Sequence, residues 1–384
     1  MNRRRFLACG CACLAGATWP LWGAAQAWSP PPRFARPETA SDEGGLWALM
    51  DREEARLRRS PFTLRDPALR EHVQDIACRL AGDHCPDLRV HLVRTPLFNA
   101  SMAPNGMMQV WTGLLLRMDN EAQLAAVLGH EIGHYMERHS LQQLRDAKSR
   151  SAFAQVLGLF GSVGALGQIA TLAGMLAYSR EQEREADRIG VQLMRRAGYD
   201  PAEASRVWEN LGAELRARGE GEGRGLSPLF ASHPPSEERR QTLAELAAAT
   251  PGGVSGAPDW QARIAPFLPE WLEAEVKRGQ HEESLALLER LAARSPQQAI
   301  WRHARAEVHR LRARRGDLEA ALSDYRAAIA LGGEPPQAHR GLGLTLRALR
   351  QPVEARASFA RYLELAPEAP DAALVRSYMA EAGT

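Results

Sequence analysis

His130-Glu131-Ile132-Gly133-His134 is the stretch on which the reading of this chain turns. On an α-helix, positions i and i+4 share a face, so His130 and His134 present two imidazole nitrogens to one metal ion. Glu131 then stands beside the open coordination position, where it can take the proton of a water whose pKa the metal lowers. The residues leading in, Asn120 to Gly129, put the motif on a helix: Asn120 is a good N-cap, and Leu124, Val127 and Leu128 recur at helical spacing. Two histidines leave the set one short, because a catalytic zinc usually takes three protein ligands and keeps a fourth position open.

Two other stretches bear on the missing ligand and on the substrate. Tyr178-Ser179-Arg180-Glu181-Gln182-Glu183-Arg184-Glu185-Ala186-Asp187-Arg188-Ile189-Gly190 opens a second helix, with Ile189, Leu193 and Met194 continuing its apolar side. By composition alone this charged run reads as a solvated helix face. Upstream, Asn99 to Leu115 reads as two short strands around a Pro104-Asn105-Gly106 turn. A strand at a sheet edge beside the metal helix is a place to hold an extended peptide.

Taken together, His130 to His134, the following Arg138-His139 and the later Glu183-x-x-x-Asp187 resemble the M48 family of zinc metallopeptidases. The 99–115 segment and Ser232-His233-Pro234-Pro235 are also similar to stretches of that family. The resemblance implies that Glu183 is the third zinc ligand, that Asp187 steadies the ligands from behind, and that Zn2+ binds once per chain. The spacing agrees, since i and i+4 share a face and zinc-bound histidines normally donate their other N–H to a carboxylate. Glu185 lies about 200° around the helix from Glu183 and is the first substitute for it. His233 follows a Gly-rich stretch, Arg216 to Gly225, that reads as mobile. It is expected either as an inhibitory fourth ligand at the open position or as an exposed histidine before a helix. Arg239 either stabilises a developing oxyanion or pairs with a carboxylate.

The chain opens with Arg3-Arg4-Arg5, an apolar run from Phe6 to Trp22 and Ala25-Gln26-Ala27, which reads as a signal peptide over residues 1–27. Arg3-Arg4-x-Phe6-Leu7 fits a twin-arginine signal, and the general secretory route stays open. Either route places the protein in the periplasm. The formal charge of the whole chain is +2, and losing three arginines takes it to about −1 by the same counting, so nothing favours nucleic acid. Of five cysteines, Cys78 and Cys85 remain after cleavage and suggest a disulfide. Phe153 to Tyr178 carries no charge, but its glycines and two glutamines favour short helices over the active site, with a face for a membrane surface, over a bilayer span.

After the glycine- and proline-rich Thr250 to Pro258, the chain turns helical and repetitive. Ala321 and Tyr325 recur 34 residues on as Ala355 and Phe359, and an earlier unit carries Gly279, Ser284, Leu288 and Pro296. This pattern resembles tetratricopeptide repeats, whose units must stack to bury their apolar faces. The expected fold is α+β, mostly α: a zincin-like domain with a small sheet over 28–249, a linker over 250–263 and an all-α repeat solenoid over 264–384. Exported M48 peptidases that carry such repeats act in the periplasm in outer-membrane protein assembly and quality control. The resemblance therefore implies a zinc metalloendopeptidase for misfolded or stalled envelope proteins, with assembly proteins held by the repeats. The rival reading is a chaperone or adaptor whose metal site is latent.

Overall fold

The computed structural model describes residues 28–149, 178–218, 233, 237–249 and 251–381. The expected signal peptide, the uncharged stretch up to residue 177 and most of the Gly-rich stretch before residue 225 lie outside the described residues.

Helix α1 (Asp42–Arg59) starts at Ser41, whose side chain accepts from the Gly44 N–H. Helix α2 (Pro67–Ala81) starts at Asp66, capping Leu69 in the same way, with proline in the first turn where no N–H is missed. A 3-10 segment, Gly82–Asp87, then leads into strand β1 (Arg89–Val93). Cys78 and Cys85 are joined by a disulfide across this corner.

Strands β2 (Ala100–Met102) and β3 (Met107–Trp111) form the expected hairpin, in the register Ala100↔Val110, Ser101↔Gln109 and Met102↔Met108. Gly106 turns it at φ 85°, and a Cβ there would meet the Asp87 carbonyl. β1 runs parallel to β3, from Arg89↔Met107 to Val93↔Trp111, so the sheet order is β1-β3-β2 and β2 is an edge.

Helix α3 (Thr112–Arg117) leads into α4 (Glu121–Met136), which carries the histidine motif. Asn120 caps α4 by accepting from the Gln123 N–H. Among the described residues, helices α5 (His139–Ser149), α6 (Arg180–Arg196), α7 (Ala202–Ala217) and α8 (Glu237–Ala248) follow in this half. At the head of α6, Ser179 and Gln182 each bond the other's backbone, a reciprocal cap that fixes where the helix begins.

The contact that builds the site is the crossing of α4 and α6. A Cβ on Gly129 would come within 3.2 Å of the Gly190 carbonyl oxygen, one on Gly133 within 3.1 Å of the Ala186 carbonyl, and one on Gly190 within 3.0 Å of the His130 nitrogen. Small residues therefore let the two backbones touch, and the side chains beside them converge.

Seven further helices follow this half after a short helix α9 (Ala257–Ile264). They are α10 (Leu268–Lys277), α11 (His281–Arg294), α12 (Ala299–Arg312), α13 (Asp317–Leu331), α14 (Gln337–Ala348), α15 (Pro352–Leu365) and α16 (Ala372–Glu381). They pair as α10/α11, α12/α13 and α14/α15. Gly279 and Gly316 make the turns of the first two pairs at φ 72° and 86°. The recurring Ala321, Tyr325, Ala355 and Phe359 are all fully buried in one cluster.

The linker expected over 250–263 is not a free tether. Ala122 N–H donates to the Ser255 carbonyl, Val254 bridges Tyr199, and α9 buries Trp260, whose indole N–H donates to the Met118 carbonyl at 2.9 Å. Glycines and prolines that look flexible in sequence serve here to bring backbone against backbone: a Cβ on Gly253 would strike the Tyr199 carbonyl. Pro32 to Thr384 accordingly forms one compact unit.

Candidate metal and peptidase site

α4 presents His130 and His134 one turn apart, with Nε2 atoms 3.1 Å from each other. α6 presents Glu183 against them: its carboxylate lies 3.3 Å from His134 Nε2 and 3.6 Å from His130 Nε2. His233, just ahead of α8, points into the same space, with Nδ1 2.7 Å from Glu183 Oε1 and 3.2 Å from His130 Nε2. These four buried side chains each offer one ligand atom, all within 4.8 Å of one another. Glu185 is half-exposed and reaches instead toward His139 Nε2 at 3.4 Å.

The surroundings fit a cation. Asp187, one turn beyond Glu183, lies 2.9 Å from His130 Nδ1, which leaves Nε2 as the ring nitrogen facing the cluster. Arg239 grips Asp187 with two bonds, from Nε at 2.8 Å and Nη2 at 2.7 Å, and lies 2.8 Å from Glu183. Its guanidinium stacks on Trp208 at 4.1 Å. Of the two roles open to Arg239, the geometry displays the carboxylate pairing. His134 Nδ1 contacts His139 Nδ1 at 2.9 Å, so His134 too turns Nε2 toward the cluster. Two imidazole nitrogens, a carboxylate and a third imidazole converging in a buried space form the nitrogen and oxygen donor set that zinc takes.

Electrostatics divide the carboxylates into two kinds. Burial raises Glu131, unopposed by any fixed arginine bond. Burial would also raise Asp187, but Arg239 and the His130 bond hold it down at about 2. Burial likewise works against Glu183, and the histidines around it keep it well below the usual carboxylate range. His134 is lowered by burial and so is the neutral imidazole that a ligand must be. Glu131 Oε1 is buried and accepts no hydrogen bond from the described residues, although His233 Nε2 stands 3.7 Å away. Edge strand β2 packs against α4, which puts that strand beside the site.

Tyr178 was not singled out from the sequence. Its ring stacks on His134 with centroids 3.9 Å apart, and its hydroxyl meets Ser140 Oγ at 2.9 Å. The one signal in the sequence is its place directly ahead of the α6 cap. Trp208 had no sequence signal, since an aromatic on α7 reads as ordinary core.

Residues 63–247 match Peptidase family M48, and residues 310–370 match the tetratricopeptide repeat. The chain is similar to the mitochondrial metalloendopeptidase OMA1 of Arabidopsis thaliana, 35% identical over 41% of this chain and 31% of that protein. It is similar to OMA1 of Schizosaccharomyces pombe, 36% identical over 41% of this chain and 45% of that protein. It is also similar to the beta-barrel assembly-enhancing protease of Escherichia coli K12, 31% identical over 40% of this chain and 35% of that protein. The matched part thus spans less than half the length of each of these curated relatives.

Proposed function

We propose, for a chain that carries an M48 peptidase domain joined to tetratricopeptide repeats, that it is an exported zinc metalloendopeptidase acting on envelope proteins. The observation that carries this reading is the convergence of His130, His134 and Glu183 with Glu131 beside them. His130, His134 and Glu183 hold the zinc. When bound, the zinc supplies Lewis acidity for the scissile carbonyl and for the attacking water.

Glu131 is the general base. Its raised pKa suits a group that must take a proton from water and then deliver it to the leaving amine. Asp187 fixes the His130 ring, and Arg239 fixes Asp187. The β2 edge aligns an extended substrate by backbone pairing, with Met102 next to Glu131. His233 is an inhibitory fourth ligand that fills the position the substrate needs, because its Nδ1 sits among the other three donors.

The periplasm, and misfolded or stalled outer-membrane proteins as substrates, follow from the export-like N-terminus and from the likeness to beta-barrel assembly-enhancing proteases. The repeats bind those substrates or their assembly partners. The test is casein cleavage by wild type, Glu131→Gln and His233→Ala. Wild type should be slow, His233→Ala faster, and Glu131→Gln inactive. A chaperone or adaptor would instead correct an envelope defect equally well as wild type and as Glu131→Gln.

A further inference from the structure

The exposed side of residues 52–65 is charged in one sense only. Arg52, Arg56, Arg58, Arg59 and Arg65 are all exposed, and the only acids in that span, Glu53 and Glu54, are buried. Arg52, Arg56 and Arg59 fall at i, i+4 and i+7, one face of α1. Glu53 turns inward to Arg56, and Glu54 is shared among Arg58, Arg89 and His91, so neither acid shows its charge to solvent.

Arg65 folds back over the helix end. It donates to the carbonyls of Arg58 at 3.4 Å and Ser60 at 3.3 Å, which leaves its charge without a carboxylate. Among the described residues no ion pair engages Arg52 or Arg59. Arg56 and Arg58 are paired with Glu53 and Glu54, and the neighbouring Arg94 with Glu270.

At the tip of the turn, among these arginines, stands Phe62, 48% exposed. Its backbone is held at both ends, by Ser60 Oγ on the N–H and by the Arg94 N–H on the carbonyl. The phenyl ring is therefore presented on a fixed turn. A large aromatic between Arg59 and Arg65 in the chain, two arginines that no carboxylate engages among the described residues, has a matching surface: an anionic bilayer, where the guanidiniums meet phosphates and the ring enters the acyl boundary. Free phosphate would use the arginines but not the ring.

We propose that the Arg52–Arg65 face docks the protein on an anionic membrane surface. The inference is independent of the peptidase reading and uses no residue of the metal site. By it, the enzyme works with this face on lipid.

The test is co-sedimentation of the chain from Trp28 to Thr384, which holds the whole described fold, with vesicles of phosphatidylglycerol and phosphatidylcholine or of phosphatidylcholine alone. Wild type is expected to bind the anionic vesicles at low salt and to leave them at high salt. Arg52→Glu combined with Arg59→Glu should weaken binding roughly tenfold or more. Phe62→Ser should weaken it severalfold, and the double lysine variant, Arg52→Lys combined with Arg59→Lys, should retain it. Casein cleavage should be unchanged in every variant.

Four results would overturn the proposal. They are no binding of wild type, equal binding to neutral vesicles, binding undiminished in the Phe62→Ser and double glutamate variants, and full displacement by millimolar inorganic phosphate with no effect of Phe62→Ser. If the glutamate variant does not fold, Phe62→Ser and the lysine variant decide.

Discussion

At the residue scale, neighbouring carboxylates of the site stand in different electrostatic surroundings. Asp187 sits between His130 and the Arg239 guanidinium and stays ionised, with a pKa of about 2. Glu131 is buried without such a partner and is raised. Replacing Asp187 with Asn keeps the shape but weakens the hold on the His130 ring. Metal affinity measured by competition with a chelator should fall by about 10–100-fold. Glu131→Gln should leave metal affinity intact and reduce kcat by a factor of about 10² to 10⁴. The histidine pair and Glu131 were legible in the sequence because i, i+4 spacing on a capped helix admits few arrangements. Glu183 came from the resemblance, since in composition it is one acid among several on α6. The stacking of Tyr178 on His134 and of Trp208 on Arg239 was not legible, because nothing local in a sequence says which ring a distant side chain will meet.

At the element scale, His130, His134 and Glu183 meet because α4 and α6 can touch. Gly129, Gly133 and Gly190 lie where a side chain would collide with backbone, which cannot step aside as a flexible side chain can. Gly190→Leu should therefore push the helices apart. Zinc binding should be lost while the helical circular dichroism persists; retained zinc would place the convergence elsewhere. The pattern was present in G-H-E-I-G-H and E-A-D-R-I-G, but a glycine inside a helix reads first as a weak point. It marks a close crossing only once the partner helix is known.

The repeats offer a matching case. Asp317 opens α13 and is held well below the usual carboxylate range, chiefly by bonds from Arg312, with the Arg314 N–H adding to it. A carboxylate depressed on folding stabilises at neutral pH, and the benefit is lost as pH falls through the ordinary aspartate range and below. Thermal stability should fall with acid over that range, and the fall should be smaller in Asp317→Asn.

At the scale of the whole molecule, buried ion pairs join the peptidase half to the repeats. Arg117, from the peptidase half, is buried and bonds Glu214 of α7 at 2.8 Å and Glu275 of α10 at 3.0 and 3.1 Å. Arg290 of α11 reaches Asp119, and Arg218 pairs with Glu283. Removing one partner of such a buried pair strands the other, so Glu275→Ala should cost about 3–5 kcal/mol in urea unfolding. It should lower both halves in one transition, and the chain cut at residue 249 should not fold stably. A surviving fragment with full activity would contradict this.

The two-part organisation was readable from the 34-residue recurrence and the change in composition. The absence of a free linker was not, because the charges that join the halves are scattered over more than 150 positions of sequence. The most direct test of the central claim is zinc per chain in the purified protein, measured for wild type, Glu131→Gln and Glu183→Ala. About one zinc is expected in wild type and in Glu131→Gln, as a single catalytic site of three ligands requires, and its loss in Glu183→Ala. Zinc retained at that level without Glu183, or absent from wild type, would contradict it.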